Sequence, residues 1–391
     1  MNYYERAQAL QEETAKHRRY FHANAEVGLD LPKARAYVTE QLRKLGLEPQ
    51  DCGYGVTATI GKGGKCILLR ADMDALPMPE ESGEAFASKN PNVAHACGHD
   101  LHAAMLLTAA KMLKEREDSL AGTIKLMFQP AEETFEGARN MIENGVLEGP
   151  HVDGALAFHV TAGRMPLGLY MYNNTGTMMA SVDVFKITVK GKGSHGAYPQ
   201  NSVDPINIAT HVYLAMEALI AREVNPEKMC VMTVGKFQAG TAANIIPEEA
   251  VLEGTIRTND VESRALLVRR LKEVAEGTAA LYGGKAEVEM VNGVAPLICD
   301  KAMATEMAGY MAELGVPGAM GYPGVTASAS EDFATIAERV PSVFMHLSAG
   351  FLDERGDYPP HNPKVLFNED VLPMGAAGYA YCAEKWLENH K

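Results

Sequence analysis

Val182-Asp183-Val184-Phe185-Lys186-Ile187-Thr188-Val189-Lys190 reads as a strand, its apolar and polar side chains alternating from Phe185 onward. It opens a new pattern within the 391-residue chain. Helical spacing follows over Pro205 to Arg222, strand character over Cys230 to Phe237 and Ala250 to Thr258, helix over Glu262 to Tyr282 and strand over Ala286 to Asn292. The order β-α-β-β-α-β is that of a ferredoxin-like sandwich, which places an inserted domain at about 181–295.

Upstream, residues 1–180 alternate differently. Tyr3 to Phe21 has helical propensity, and a second helix is expected from Asp30, as cap, through Pro32 in its first turn to Gly46. Val56 to Ile60, Cys66 to Ala71 and Thr123 to Phe128 read as strands, with a helix from Leu101 to Lys114 between the last two. Strands alternating with helices predict an α/β sheet. Residues 296–391 mix helix and strand without completing a pattern of their own, so they are expected to rejoin the first domain.

The bulk numbers exclude several classes. A 47% hydrophobic and 22% charged composition is that of a globular protein, and no run approaches the roughly 18 apolar residues of a membrane helix. The N-terminus lacks the basic start and apolar run of a secretory signal, so the expected location is cytoplasmic. Six cysteines scattered without paired spacing do not suggest a disulfide framework. A net charge of -14 with no basic stripe argues against nucleic acid as a partner.

The chemistry concentrates in His95-Ala96-Cys97-Gly98-His99-Asp100-Leu101-His102. In an extended segment residues i and i+2 project to one side, so Cys97 and His99 can chelate one ion or flank two, while Asp100 can also serve as a helix cap. Gln129-Pro130-Ala131-Glu132-Glu133 sets two carboxylates just after an apolar strand, where α/β sheets gather their functional sites. Adjacent residues there face different ways, so one glutamate can bind metal while its neighbour faces water; the bland alternative is a solvated acidic loop. His159 ends another apolar run and His361 sits in a proline-stiffened loop. Cys97, His99, Glu133, His159 and His361 together supply enough N, S and O ligands for two metals.

With Arg70-Ala71-Asp72-Met73-Asp74-Ala75-Leu76-Pro77, Gly193-Ser194-His195-Gly196-Ala197, Ala243-Asn244-Ile245-Ile246-Pro247 and Ser330-Glu331-Asp332-Phe333, these motifs resemble the aminoacylase and carboxypeptidase family of dinuclear metallohydrolases. The nearest branch is the one with hippurate hydrolases, indole-acetyl-amino-acid hydrolases and N-acetyl-diaminopimelate deacetylases. The resemblance implies a mixed-sheet, metallopeptidase-like catalytic domain in two segments, 1–180 and 296–391, with the inserted domain as a lid that also dimerises. It implies Cys97, His99, Glu133, His159 and His361 as metal ligands and Glu132 as the general base. His195 resembles the lid histidine that stabilises the oxyanion, Asn244 and Arg257 resemble substrate-holding groups, and Asp74 falls where relatives carry an acidic residue near the metals. Two departures stand out: Asp72 replaces a histidine common in other branches, and Ala25 replaces a usual proline.

The expected reaction is removal of an acyl group, such as acetyl or benzoyl, from an N-acyl amino acid whose carboxylate meets Arg257. Two divalent ions are implied: a thiolate favours zinc, mixed His and carboxylate sites also accept manganese, and nickel and cobalt are further candidates. A homodimer, or a tetramer built from it, is the expected assembly. The alternatives are a dipeptidase or carboxypeptidase using the same metal pair, and, outside enzymes, a redox-sensitive metal-binding protein built around Cys97.

Overall fold

The structure, a computed structural model, describes all residues from Met1 to Lys391. The chain divides into two compact units. The first comprises Met1–Met178, Ile298–Val325 and Asp332–Lys391, and the second Met179–Leu297 with Thr326–Glu331. Residues Thr326–Glu331, expected to go with 296–391, cluster with the second unit instead.

The first unit is built on a mixed eight-stranded sheet, the α/β arrangement expected from the alternation of strands and helices. Its strands lie in the order Gln50–Cys52, Gly55–Gly61, Thr123–Gln129, Cys66–Asp72, Gly154–Thr161, Ser342–Ser348, Leu169–Tyr172 and Met320–Pro323. The four central strands run parallel, and the flanking strands Gly55–Gly61 and Leu169–Tyr172 run antiparallel to their inner neighbours. Strands Cys66–Asp72 and Thr123–Gln129 are buried at every residue, because parallel strands are covered by helices on both faces and read as continuous apolar runs.

Helix His99–Lys114 is buried nearly all round and packs on helix Leu372–Asn389, on helix Gln11–Ala23 and on the central strands. Each fully buried Leu or Met side chain on such a helix contributes about 1.5–3 kcal/mol. Helix Pro32–Lys44 has Pro32 in its first turn as expected, but Asp30 does not cap it: the Glu26 carboxylate accepts from the Lys33 and Ala34 N–H groups at 3.0 Å. No helix is long and apolar enough to cross a membrane.

In the second unit, strands Cys230–Ala239, Glu249–Thr258, Val182–Lys190 and Lys285–Val294 form an antiparallel sheet in that order. The alternation over 185–190 turns Phe185, Ile187 and Val189 inward, where they meet helices Pro205–Glu223 and Val261–Leu281 through Ile208, Val212, Leu267 and Leu271. Asp204 and Asp260 cap those helices, each accepting backbone N–H bonds in the first turn.

Candidate metal centre

The carboxyl ends of the central strands deliver the site. Strand Cys66–Asp72 leads to Asp74, Thr123–Gln129 to Glu132 and Glu133, and Gly154–Thr161 carries His159 near its end. The turn before helix His99–Lys114 is tight: Gly98 has φ 93, and a Cβ there would stand 2.4 Å from the Val160 side chain, so only glycine fits. The Ala96 carbonyl accepts the His361 N–H at 2.8 Å and ties the distant proline-rich loop to this turn. Ala131 and His361 both hold left-handed backbone, with φ 52 and 65, strain that surrounding structure must sustain and that gathers at functional sites.

All five expected ligands converge. Cys97, His99 and His159 form one group, and Cys97, Glu133 and His361 another, in which the donor atoms lie within 4.8 Å of one another. The Cys97 sulfur stands 3.5 Å from His159 Nε2 and 3.3 Å from His361 Nε2, and Glu133 Oε1 is 3.5 Å from His361 Nε2 and 3.9 Å from His99 Nε2. Donors that each sit about 2.0–2.3 Å from one ion are themselves roughly 3–4 Å apart, so the spacing suits shared cations. The two groups have the sulfur in common.

The donor atoms themselves carry the test of fit. His99 Nδ1 donates to the Asp74 carbonyl at 2.9 Å, so in the neutral imidazole that a metal selects the lone pair is on Nε2, facing the site. That Nε2 and Glu133 Oε1 are both buried without a hydrogen-bond partner, and a cation between them satisfies both. Burial pushes the Cys97 thiol well up, raises the Glu133 carboxyl to about 7 and lowers His159 and His361. Burial is the largest influence on His99 and opposes its charged form, but Asp72, Cys97 and Asp74 together outweigh it and hold that imidazole well above its ordinary range. A thiolate, a carboxylate and neutral imidazoles are the forms a divalent ion selects. The residues present therefore fit a pair of metals.

Glu132 stands beside this set. It is buried, its Oε1 accepts the Asp332 N–H at 3.4 Å, and Oε2 lies 4.0 Å from His99 Nε2. Asp74 touches two of the donors from behind: Oδ2 accepts the Glu133 N–H at 3.0 Å and Oδ1 lies 3.3 Å from His99 Nδ1. Contacts of this kind orient a ligand. Asp100 is not the cap of its helix, since Gly98 occupies that position; its carboxylate meets Arg18 Nε at 3.0 Å and His22 Nδ1 at 2.8 Å.

A third spacing match, Asp72, His99 and His102, is closed by its own hydrogen bonds. Asp72 Oδ1 takes His102 Nδ1 at 2.6 Å and Oδ2 takes Arg70 Nη1 at 2.5 Å, while His102 Nε2 accepts the Val160 N–H at 2.7 Å. Arg70 continues to Asp332 at 3.0 Å and to Gln129 Oε1 at 2.9 Å, and Asp332 also accepts from Gln129 and from the Ala138 N–H. No role was expected from sequence for this network, although Arg70 and Asp72 inside an otherwise apolar strand are its signal.

The remaining expected residues belong to the second unit. His195, exposed on the short strand Ser194–His195, pairs with Ile245, and its Nδ1 accepts the Ala197 N–H at 3.1 Å. Asn244 adjoins it, its carbonyl accepting the Gly196 N–H at 2.8 Å. Arg257, on strand Glu249–Thr258, donates from Nη1 to Ser330 Oγ at 3.1 Å and to the Ser328 carbonyl at 3.3 Å.

The family model described as "Peptidase family M20/M25/M40" matches residues 68–385. An N-acetyl-L-cysteine deacetylase of Bacillus subtilis is 37% identical over 380 residues, covering 95% of this chain and 87% of the relative. Thermostable carboxypeptidase 2 of Saccharolobus solfataricus is 35% identical over 382 residues, 94% of each. Among solved structures, a dinuclear metal-binding peptidase of the M20 family from Bacillus subtilis superposes with a TM-score of 0.83 at 31% identity, covering 97% of this chain and 99% of that one.

Proposed function

This chain is a metal-dependent amidohydrolase belonging to peptidase family M20/M25/M40, and we propose that it removes the acyl group from N-acyl amino acids. The observation that carries the reading is the convergence of five donors around buried, unpartnered His99 Nε2 and Glu133 Oε1, with a second carboxylate, Glu132, beside them. A metal-storing or redox-sensing protein has no need of a general base beside its ions.

Cys97, His99, Glu133, His159 and His361 would hold two divalent ions, zinc or manganese first, with nickel and cobalt as further candidates. Bound there, the ions supply Lewis acidity that makes water acidic near neutral pH and polarises the scissile carbonyl. Glu132 takes the proton from the attacking water and returns it to the departing nitrogen, so one carboxylate serves as base and then as acid. Asp74 and the Asp72–His102 pair hold the donors in place. The second unit acts as a ferredoxin-like lid and dimerisation domain whose His195 stabilises the oxyanion; Asn244 and Arg257 hold the substrate, the guanidinium taking its carboxylate. The enzyme is cytoplasmic and works as a homodimer or a tetramer of such dimers.

The acyl-amino-acid substrate follows the deacetylase relative, while the carboxypeptidase relative keeps peptide substrates as the second reading. A single assay separates them: metal-loaded enzyme is given N-acetyl and N-benzoyl amino acids beside dipeptides with the same C-terminal residue. Higher kcat/KM on the acyl amino acids supports deacylation. Preference for the dipeptides replaces it with peptidase activity.

A further inference from the structure

The two central strands part company at the site. Strand Gly154–Thr161 pairs with strand Cys66–Asp72 only as far as Ala157, opposite Arg70, although it remains paired on its other edge with Ser342–Ser348 through Thr161. The edge facing the gap therefore presents N–H groups that no strand receives. Phe158 and Val160 are two apart, so their N–H groups point the same way, and side chains take both. Phe158 N–H is accepted by Tyr379 Oη at 3.0 Å, and that hydroxyl donates to the Arg70 carbonyl at 2.6 Å. Val160 N–H is accepted by His102 Nε2 at 2.7 Å. His159 is the residue between them.

The second contact also sets a tautomer. Since Val160 N–H can only donate, His102 Nε2 must accept; its proton is on Nδ1 and goes to Asp72 Oδ1, 2.6 Å away. Asp72 in turn is pinned by Arg70 through its other oxygen. The replacement of a histidine by Asp72 is thus matched by a buried partner that needs a carboxylate.

We infer that His102 and Tyr379 are positioning residues that stand in for the missing strand, hold the cleft between the two central strands open, and so place His159 for one of the two ions. The inference rests on the two-ion reading of the site. It assigns neither residue to the chemistry: the His102 nitrogens are both engaged with protein, and the Tyr379 ring is fully buried against Phe158.

Metal-free full-length protein is titrated with Zn²⁺ by calorimetry, with His159→Ala as the reference that identifies which binding step depends on His159. His102→Phe and Tyr379→Phe each remove one of the two backbone acceptors. Both should weaken the His159-dependent step about 10- to 100-fold while leaving the other step unchanged. His102→Gln, whose amide can donate to Asp72 and accept from Val160, should restore the weakened step. Wild-type affinities in both Phe variants, equal weakening of both steps, or a His102→Gln no better than His102→Phe would overturn the inference. If His102→Phe does not fold, Tyr379→Phe carries the test alone. A wild-type protein that takes up one Zn²⁺ per chain would instead remove the two-ion reading on which this rests.

Discussion

Replacing Glu132 by Gln isolates proton transfer from everything else in the site. The amide has the same volume, and its oxygen can still accept the Asp332 N–H now taken by Glu132 Oε1 at 3.4 Å, so the buried pocket keeps its shape and its satisfied backbone. The five expected metal ligands are untouched, and the neighbouring Glu133 keeps its N–H bond to Asp74 Oδ2 at 3.0 Å. What disappears is a group able to take a proton and give it back. A positioned general base contributes about 10²–10⁴-fold, or roughly 2.7–5.5 kcal/mol of barrier. The expected result is kcat lowered by about that factor, with metal content near two per chain and little change in KM, because the lost interaction is made only as the reaction proceeds. Steady-state kinetics on N-acetyl amino acids, paired with metal analysis of the same preparation, reads both quantities. A variant with two metals and near wild-type kcat refutes the general-base role. A variant that has lost metal shows Glu132 to be a ligand, which refutes the division of labour between the two glutamates.

Three further outcomes follow from other parts of the molecule. Cys97→Ser should lower occupancy at both ion positions, since the sulfur belongs to both donor groups; loss confined to one ion would contradict a shared thiolate. Arg257→Ala should raise KM for acyl amino acids and leave C-terminally amidated analogues nearly unchanged, and an equal rise for both would remove the carboxylate contact. Burial alone would lower the pKa of His22, but Asp100 and Glu80 outweigh it and raise it from 6.5 to about 9. The folded state therefore holds a proton that the unfolded chain releases, so this stabilisation, on the order of 3 kcal/mol at most, is whole below about pH 6.5 and lost as pH rises through about 9. The melting-temperature difference between wild type and His22→Gln should shrink across that window; a difference constant with pH would refute it.

The sheet was legible because the residues that make it have few alternatives. Cys66 to Ala71 and Thr123 to Phe128 are short apolar runs bounded by glycine and polar residues, and the strands observed, Cys66–Asp72 and Thr123–Gln129, extend each by one polar residue. Those added residues, Asp72 and Gln129, are buried charged or polar groups that look like strand ends in sequence and are held inside by Arg70 and Asp332. Strands Leu169–Tyr172 and Met320–Pro323 are not legible for the opposite reason: they are short, incompletely buried strands at one side of the sheet, the second at its edge, and their pairing depends on neighbours more than a hundred residues away.

In the site, the donor residues could be named from sequence because metal ligands are drawn from a small set of residue types, and Cys97, His99 and the paired glutamates crowd into short motifs after strands. Their supports could not. Asp100, read as a possible cap, is engaged by Arg18 and His22 from a helix about eighty positions earlier, and Asp74 proves to hold His99 and Glu133 from behind. His102 sits in the densest motif of the chain, yet its significance comes from Asp72, 30 positions before it, and from a backbone N–H 58 positions after it. A ligand is recognised by its own chemistry, whereas a group that orients ligands is recognised only by what it touches. The gap between the two central strands is the feature that brings Tyr379 and His102 to the Phe158 and Val160 N–H groups, and nothing local to either residue encodes it.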